Sequence, residues 1–208
     1  MAHAEDGRKD VRFICSDEKK NIFLIGDSIR MGFCDVTREA LSDEAEVFYV
    51  DDNCRNTQYV IINLFSWANL FDAPEKVDIV QFNCGHWDLA HWCEYVLPLT
   101  SETEYTRNLI MIAEMTAKLF PNAKIVFATT TPMNPNGQLN QNVRTTADIA
   151  RYNDAAKKAL ENRNIAINDL FEITKDWDAS FYADYCHFTQ ESNKILGNSV
   201  ASELKKYF

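Results

Sequence analysis

The sequence predicts an α/β protein: a three-layer α/β/α sandwich in which one parallel β-sheet lies between two layers of helices. Short apolar runs rich in Ile, Val and Phe recur along the chain, and segments with helical periodicity separate them. Such runs are typical of strands that are covered on both faces, and parallel neighbours need a crossover connection, usually a helix. With 208 residues, we expect a single domain over 1–208, of which 1–20 form a partly ordered N-terminal extension.

The predicted elements alternate from the first strand onward. Strands are expected at 21–26, 45–50, 77–83, 123–130 and 164–169. Helices are expected at about 28–42, 56–70, 101–120, 144–162 and 190–206. In the third helix, Ser101 and Glu104 have the spacing of a capping box, and Pro121 is expected to end the helix. A loop rich in turn-forming residues, 129–142, is expected to overhang the carboxyl edge of the sheet, where open α/β folds bind ligands.

Charge and composition limit the classes of partner. The formal net charge is −10 at pH 7, which argues against nucleic acid and against an anionic membrane as partners, because both would repel the chain at long range. No apolar run has the length of a signal-peptide core or a membrane span, so we expect a cytoplasmic protein. The six cysteines lack CxxC spacing and are predicted to be reduced thiols. No cofactor is expected.

The stretch Gly26-Asp27-Ser28 ends the first predicted strand and brings a serine to the start of the next helix. There the Ser28 hydroxyl would face solvent, and its backbone N–H would point toward a developing negative charge. This is a favourable position for a nucleophile. It is equally favourable for a helix N-cap, since serine and aspartate both cap helices well. The stretch alone leaves both roles open.

A serine nucleophile needs a base, and His187 is the candidate with a suitable neighbour. Asp184 precedes it by three residues. If 184–187 form one helical or 3₁₀ turn, the carboxylate and the imidazole lie on the same side of it, where the carboxylate can orient the ring. An Asp-x-x-His pattern by itself is weak, but its position just before the last helix, after an early Gly-Asp-Ser, makes the pair of motifs more specific.

In that order and spacing, the chain resembles the SGNH hydrolase superfamily of GDSL-type esterases and lipases, from Gly26 to His187. The resemblance implies a flavodoxin-like sandwich with a five-stranded parallel sheet. It also implies that Ser28 is the catalytic nucleophile, His187 the general base and then acid, and Asp184 the residue that orients it. The oxyanion would bind the backbone N–H of Ser28 and two further donors.

The middle motifs depart from the superfamily pattern. Cys54 stands where a glycine usually supplies the second oxyanion donor, and Asn53 and Arg55 beside it are candidates for the substrate pocket. Trp87 stands where an asparagine usually supplies the third donor. Asn83 or the Trp87 indole is expected to replace it. The stretch "FNCGHWD" also resembles the PC-esterase branch, which includes polysaccharide O-acetyltransferases.

The residues around Trp87 allow several roles. His86, His91 and Cys93 are of types that bind zinc, but the spacing offers no fourth ligand, and we expect no metal. His86 and Trp87, with Asn53 and Arg55, are expected to bind substrate. The predicted function is therefore a serine esterase that hydrolyses short acyl esters, acetyl above all, on a small molecule or carbohydrate. The alternatives are a lysophospholipase or thioesterase, a sugar O-acetyltransferase, and a non-catalytic binding protein in which Ser28 caps a helix.

Overall fold

A five-stranded parallel sheet forms the centre of the protein, which we describe from a computed structural model over residues 11–137 and 141–208. Its strands in chain order are β1 (Lys20–Ile25), β2 (Ala45–Tyr49), β3 (Ile79–Phe82), β5 (Lys124–Ala128) and β7 (Ala166–Asn168). They lie side by side in the order β2-β1-β3-β5-β7, and every pairing is parallel. Counted within the sheet, this order is 2-1-3-4-5, the order of flavodoxin-like folds. The predicted fold class is confirmed.

Helices cover both faces of this sheet. They are α1 (Ser28–Leu41), α2 (Thr57–Ala68), α3 (Glu102–Leu119), α4 (Thr146–Leu160), the short α5 (Leu170–Thr174) and α6 (Gln190–Leu204). Helices α1 and α6 pack together on one face, whereas α2, α3 and α4 pack side by side on the other. Each face has its own buried apolar cluster, because the strands present buried residues on both sides. The structure therefore has the three layers that the sequence predicts.

The predicted strands and long helices are confirmed to within a few residues at each end. Ser101 and Glu104 form the expected capping box at the start of α3. The sequence did not predict α5 or a two-stranded antiparallel ribbon of β4 (His91–Trp92) and β6 (Asn142–Val143). Two-residue strands show no hydrophobic alternation, so periodicity cannot reveal them.

The described part of the N-terminal segment packs onto the body of the protein. Phe13 lies against Phe23, Phe48 and Phe71, with ring centroids 5.0–6.2 Å apart. Its backbone N–H donates to the Leu70 carbonyl at 3.0 Å. Residues 1–10, the first half of the predicted extension, lie outside the described residues. In the part of the chain that the structure describes, no helix combines the length and the apolar character needed to cross a membrane.

The strand order determines where a site can form. Between β1 and β3 the direction of winding reverses, so the crevice at their carboxyl ends is the place where open α/β sheets bind ligands. The chain leaves β1 at Gly26 and β3 at Asn83. The Asn83 N–H donates to the Ile25 carbonyl at 3.0 Å, so the two strand ends stay joined up to the crevice.

Candidate active site

Ser28 is the first residue of α1, three residues after the end of β1. The helix N-cap is Asp27, whose carboxylate accepts a hydrogen bond from the Ile29 N–H at 3.0 Å. The capping role that the sequence left open for Ser28 is thus taken by its neighbour. As the first helical residue, Ser28 has a backbone N–H without an intrahelical acceptor, and its side chain is half-buried.

Gly26 is required by a close approach rather than by its backbone angles. Among the described glycines only Gly85 has a positive φ. A Cβ on Gly26 would lie 1.9 Å from Asn83 Oδ1 and 2.7 Å from the Cβ of Arg30. The residue before Asp27 therefore lacks a side chain because the Asn83 amide occupies that space.

The fold brings His187 to Ser28 across 159 positions of sequence. His187 Nε2 lies 2.7 Å from Ser28 Oγ, and His187 Nδ1 lies 2.7 Å from Asp184 Oδ2. Both distances are those of hydrogen bonds. The three residues predicted to be catalytic thus form one continuous chain of contacts at the carboxyl edge of the sheet.

The turn that carries Asp184 and His187 is not helical. The other oxygen of Asp184, Oδ1, accepts hydrogen bonds from the N–H groups of Cys186 and His187 at 2.9 and 2.8 Å. The expected helical or 3₁₀ turn is therefore wrong: the carboxylate itself closes the turn. Partial burial raises the pKa of Asp184, but the hydrogen bonds from these two N–H groups and from the imidazole outweigh it and lower the pKa below its usual value. Asp184 is thus an anion at neutral pH, as the orienting partner of a histidine must be.

The loop after β2 presents a different N–H from the one that the sequence indicates. The N–H of Cys54 donates to the Gly26 carbonyl at 3.1 Å, and the residue is fully buried. Arg55, one residue later, has a φ of +51° in the left-handed region. Its N–H donates to the side chain of Asn53 at 2.9 Å. The Cys54 N–H, which the sequence analysis assigned to the oxyanion, is therefore engaged within the fold. The Arg55 N–H is bound to the half-buried side chain of Asn53.

Asn83 lies below the site rather than in it. It is only 4% exposed, and its Nδ2 donates to Asp27 Oδ1 at 3.0 Å. Burial raises the pKa of Asp27, although the hydrogen bonds from Ile29 and Asn83 oppose this shift. One N–H of the Asn83 amide thus holds the N-cap of α1 in place.

His86 is buried beside the site. Its Nε2 lies 3.2 Å from Thr131 Oγ1, and its Nδ1 accepts a hydrogen bond from Arg144 Nε at 3.2 Å. Burial, and then the charge of Arg144, hold the pKa of His86 well below its usual range, so the ring is neutral. Arg144 and Thr131 carry no recognisable motif, and sequence reasoning missed both. The turn-rich loop between them was the available signal.

Trp87 and Trp92 form an aromatic pair next to these residues. Their ring centroids lie 5.0 Å apart with planes inclined by 41°, and both residues are half-buried. Trp92 belongs to β4, which the ribbon ties to β6 after the 129–142 loop. His91 Nδ1 contacts the Tyr95 carbonyl oxygen at 2.9 Å and takes no part in a shared cluster with His86.

Three possible metal ligands do meet in the described structure, but at a different place. Asp184, Cys186 and His187 offer ligand atoms within 4.8 Å of one another. Burial raises the pKa of the Cys186 thiol to about 12, although the Arg144 guanidinium 3.5 Å away opposes the shift. A buried, protonated thiol beside a guanidinium is a poor cation ligand. Asp184 and His187 therefore fit a serine-histidine-aspartate arrangement with Ser28 better than they fit a metal centre.

The sheet order and the serine-histidine-aspartate chain at its carboxyl edge define the class of fold. It is the fold of the SGNH, GDSL-type hydrolases, and the predicted resemblance is confirmed at the level of fold. No protein-family model matches the sequence, and no curated protein is similar to it in sequence.

Solved structures give the particular similarities. A lipase/acylhydrolase from Enterococcus faecalis is 20% identical, with a TM-score of 0.68 over 90% of this chain and 96% of the other. A GDSL-like lipase from Bacteroides thetaiotaomicron is 13% identical, with a TM-score of 0.70 over 93% and 91%. A carbohydrate acetylesterase from Sinorhizobium meliloti is 14% identical, with a TM-score of 0.67 over 91% and 100%.

Proposed function

We propose that the protein is a serine esterase that hydrolyses short acyl esters, acetyl above all, on a carbohydrate. The observation that carries the proposal is the unbroken contact chain from Ser28 Oγ through the His187 ring to Asp184, with 2.7 Å at each step. A serine hydroxyl becomes a nucleophile when a base within hydrogen-bond reach takes its proton. A cap or a packing contact would not require a histidine and an ionised carboxylate in line with that hydroxyl.

Each residue then has a role in a two-step reaction. As Ser28 Oγ attacks the ester carbonyl, His187 Nε2 accepts its proton, and Asp184 stabilises the resulting imidazolium. The imidazolium gives this proton to the leaving alcohol, and the acyl group stays on Ser28. His187 next takes a proton from the water that attacks the acyl-enzyme, and it returns this proton to Ser28 Oγ as the acyl–oxygen bond breaks and the acid leaves.

The oxyanion would bind two backbone N–H groups, those of Ser28 and Arg55. The Ser28 N–H lies at the positive end of α1 and has no intrahelical acceptor. The Arg55 N–H is held by the Asn53 side chain, which an entering carbonyl oxygen would displace. One such donor contributes about 3 to 4 kcal/mol of transition-state stabilisation. Cys54, which the sequence analysis assigned to the oxyanion, would instead support Arg55, because its own N–H is bound to the Gly26 carbonyl and fixes the loop just before Arg55.

The half-buried Trp87 and Trp92 pair supports a carbohydrate as the alcohol part of the ester. Aromatic side chains with a few polar groups beside them are typical of small-molecule sites. Among the solved structures with this fold, one is a carbohydrate acetylesterase. Acetylated oligosaccharides are therefore the first substrates to test, against p-nitrophenyl esters of increasing chain length.

An ester with a longer acyl chain is the second candidate, and one surface favours it. The loop after β4 exposes four large apolar side chains: Tyr95, Val96, Leu97 and Leu99. A lysophospholipase or thioesterase could use them to hold an acyl chain. Preference for acyl chains of about eight carbons or more would support this candidate, whereas product formed only when a sugar acceptor is added would indicate an acyltransferase.

The proposal is tested most directly with a fluorophosphonate probe, which forms a covalent adduct with an activated serine. We expect one adduct, on Ser28, and its loss in His187→Ala. His91→Ala is the matched control: among the described residues the hydrogen-bond contact of the His91 ring is with the Tyr95 carbonyl, away from Ser28, so labelling should stay unchanged. No adduct in the wild-type protein would support a non-catalytic binding protein instead.

A further inference from the structure

The segment between β5 and α4 holds the turn that carries the acid–base pair. The backbone N–H of Asn134 donates to the Tyr185 carbonyl at 2.9 Å. Its side-chain Nδ2 donates to the Asp184 carbonyl at 2.8 Å. The described parts of this loop therefore serve as a support for the 184–187 turn, in addition to lying over the edge of the sheet.

Arg144 approaches the same turn from the buried side. Its Nη2 lies 3.5 Å from Cys186 Sγ, and its Cζ lies 5.3 Å from the centre of the Tyr185 ring. Its Nε donates to His86 Nδ1 at 3.2 Å, and its Nη1 donates to the Asn142 carbonyl at 3.3 Å. The guanidinium thus contacts two consecutive residues of the turn on one wall and His86 on the opposite wall, and it also donates to Asn142, two residues before it in the sequence.

The charge of Arg144 forms no ion pair among the described residues, although it acts at longer range on the buried Asp27 carboxyl and opposes the rise in its pKa. The side chain belongs to a residue that is 5% exposed, and among residues 11–137 and 141–208 no carboxylate oxygen forms an ion pair with it. Its acceptors are an imidazole nitrogen, a thiol and a carbonyl. Burial of a charge without an opposite charge costs several kcal/mol, and an apolar side chain of similar volume is often more stabilising. Fold stability alone does not account for an arginine here.

His86 fixes the direction of the guanidinium. Because Arg144 Nε–H can only donate, His86 Nδ1 must be unprotonated, and the ring proton is on Nε2, where it is donated to Thr131 Oγ1. Hydrogen bonds thus connect Thr131, His86 and Arg144 in a buried chain that ends at Cys186, the residue before His187. A planar guanidinium can contact both walls at fixed angles, which an ammonium cannot.

We propose that Arg144 is a positioning residue for the acid–base pair: held by His86, it fixes the 184–187 turn so that the His187 ring stays in line with Ser28. This inference rests on the proposed function. The turn needs such support because its own side chains are exposed, by 35% for His187 and 44% for Asp184.

Arg144→Met tests the proposal, because methionine keeps much of the side-chain volume and removes the planar guanidinium with its N–H donors. We expect kcat for p-nitrophenyl acetate to fall about 10- to 100-fold, the usual effect of a small misplacement of a catalytic group. KM should change less than about twofold, and the melting temperature should stay the same or rise. The rate of fluorophosphonate labelling at Ser28 should fall by the same factor as kcat. Arg151→Met is the matched control, since Arg151 is an exposed residue of α4 that pairs with Glu102 and Asp148.

Chemical rescue separates positioning from general packing. In Arg144→Ala, millimolar guanidinium, well below denaturing concentrations, should restore part of kcat, whereas urea, which has the same shape without the charge, should not. Arg144→Lys keeps the stem and the charge, so the fold is retained, but a single ammonium cannot contact both walls. We expect its kcat to stay near that of Arg144→Met.

Two results would overturn the inference. One is a folded Arg144→Lys or Arg144→Met variant with wild-type kcat and labelling rate. The other is a loss of kcat that follows only the loss of folded protein and is not rescued by guanidinium. Failure of the proposed function looks different, because the wild-type protein itself would then neither react with the probe nor hydrolyse any ester.

Discussion

Ser28 and His187 meet at one site, but they come from regions of opposite character. Ser28 follows a strand whose last residue, Ile25, is 1% exposed, and it begins a helix capped by the equally buried Asp27. His187 lies in an irregular turn whose functional side chains are over one-third exposed. Close packing fixes Ser28, whereas hydrogen bonds within the turn itself, from Asn134 and from Arg144 hold the turn that carries His187.

This difference has a general consequence for substitutions. Packed interiors respond to a single added methyl group, so changes near Ser28 should lower stability and activity together. The exposed side chains of Asp184 and His187 contribute little to the core, so changes at these two residues should lower activity and leave stability intact. The following predictions test this separation, beginning with the largest effect.

His187→Ala should lower kcat by about four orders of magnitude or more, as the loss of a catalytic base does in serine hydrolases. Its melting temperature should stay within about 2 °C of the wild type, because the ring packs only at the surface. Ester hydrolysis and thermal unfolding of the same sample measure both quantities. A large loss of stability would show that the turn belongs to the core and would contradict the comparison.

Gly26→Ala should affect both quantities at once. The new Cβ would meet Asn83 Oδ1 at 1.9 Å and the Cβ of Arg30 at 2.7 Å, so the end of β1 must move. We expect a loss of about 3 kcal/mol or more in the free energy of unfolding, with kcat reduced even at temperatures where the variant is folded. Denaturant unfolding and single-temperature kinetics provide the measurement. Normal stability would mean that the Asn83 amide can move aside at no cost.

Asp88 gives the buried region a pH dependence opposite to that of the turn. Burial raises its pKa to about 6, despite hydrogen bonds from Thr57 and Thr100. The folded state therefore binds this proton more tightly than the unfolded state, where the pKa is about 3.9. The Asp88 contribution is complete below about pH 4 and is lost as the pH rises through about 6, by up to about 3 kcal/mol. The lowered pKa of Asp184 has the other sign: its contribution is present above about pH 4 and is lost in acid.

Asp88→Asn removes the titrating group and tests this assignment. Urea unfolding of wild type and variant at pH 4.5 and pH 7 should show a smaller difference between the two pH values for the variant. Asp184→Asn is the matched control, and it should keep the wild-type difference in stability between pH 4.5 and pH 7. An unchanged pH dependence in Asp88→Asn would assign the effect to other groups.

Ser101→Ala should have the smallest effect and lies outside both regions. It removes the capping box of α3, in which the Glu104 N–H donates to the serine oxygen at 3.3 Å. A loss of about 1 kcal/mol in the free energy of unfolding is expected, with kcat unchanged. Reduced kcat at full folding would show that α3 transmits its position to the site.

The secondary structure and the short motifs were the more predictable features of the molecule. Apolar runs and helical spacing gave the five strands and the five long helices, because burial on both faces imposes those patterns. The Gly-Asp-Ser and Asp-x-x-His motifs identified Ser28, Asp184 and His187, and the fold brings them together. The two motifs are local signals, because each lies within three or four consecutive residues.

Features that depend on backbone angles or on distant contacts were not predictable in the same way. Comparison with the superfamily sequence pattern placed an oxyanion donor at Cys54. The left-handed backbone of Arg55, with a φ of +51°, could not be predicted from the sequence. Asn83 looked available for a substrate, but its amide is engaged by Asp27. Arg144 has no motif, because its role follows from contacts with His86 and Cys186, which lie 58 and 42 positions away.

The distribution of thiols offers a practical route to binding measurements. All six cysteines are unpaired; five are buried, and Cys93 alone is exposed. Cys93 directly follows Trp92 of the aromatic pair. A maleimide dye should therefore attach at a single point beside Trp92, and its emission would report a ligand that binds next to the aromatic pair without any change to the protein sequence.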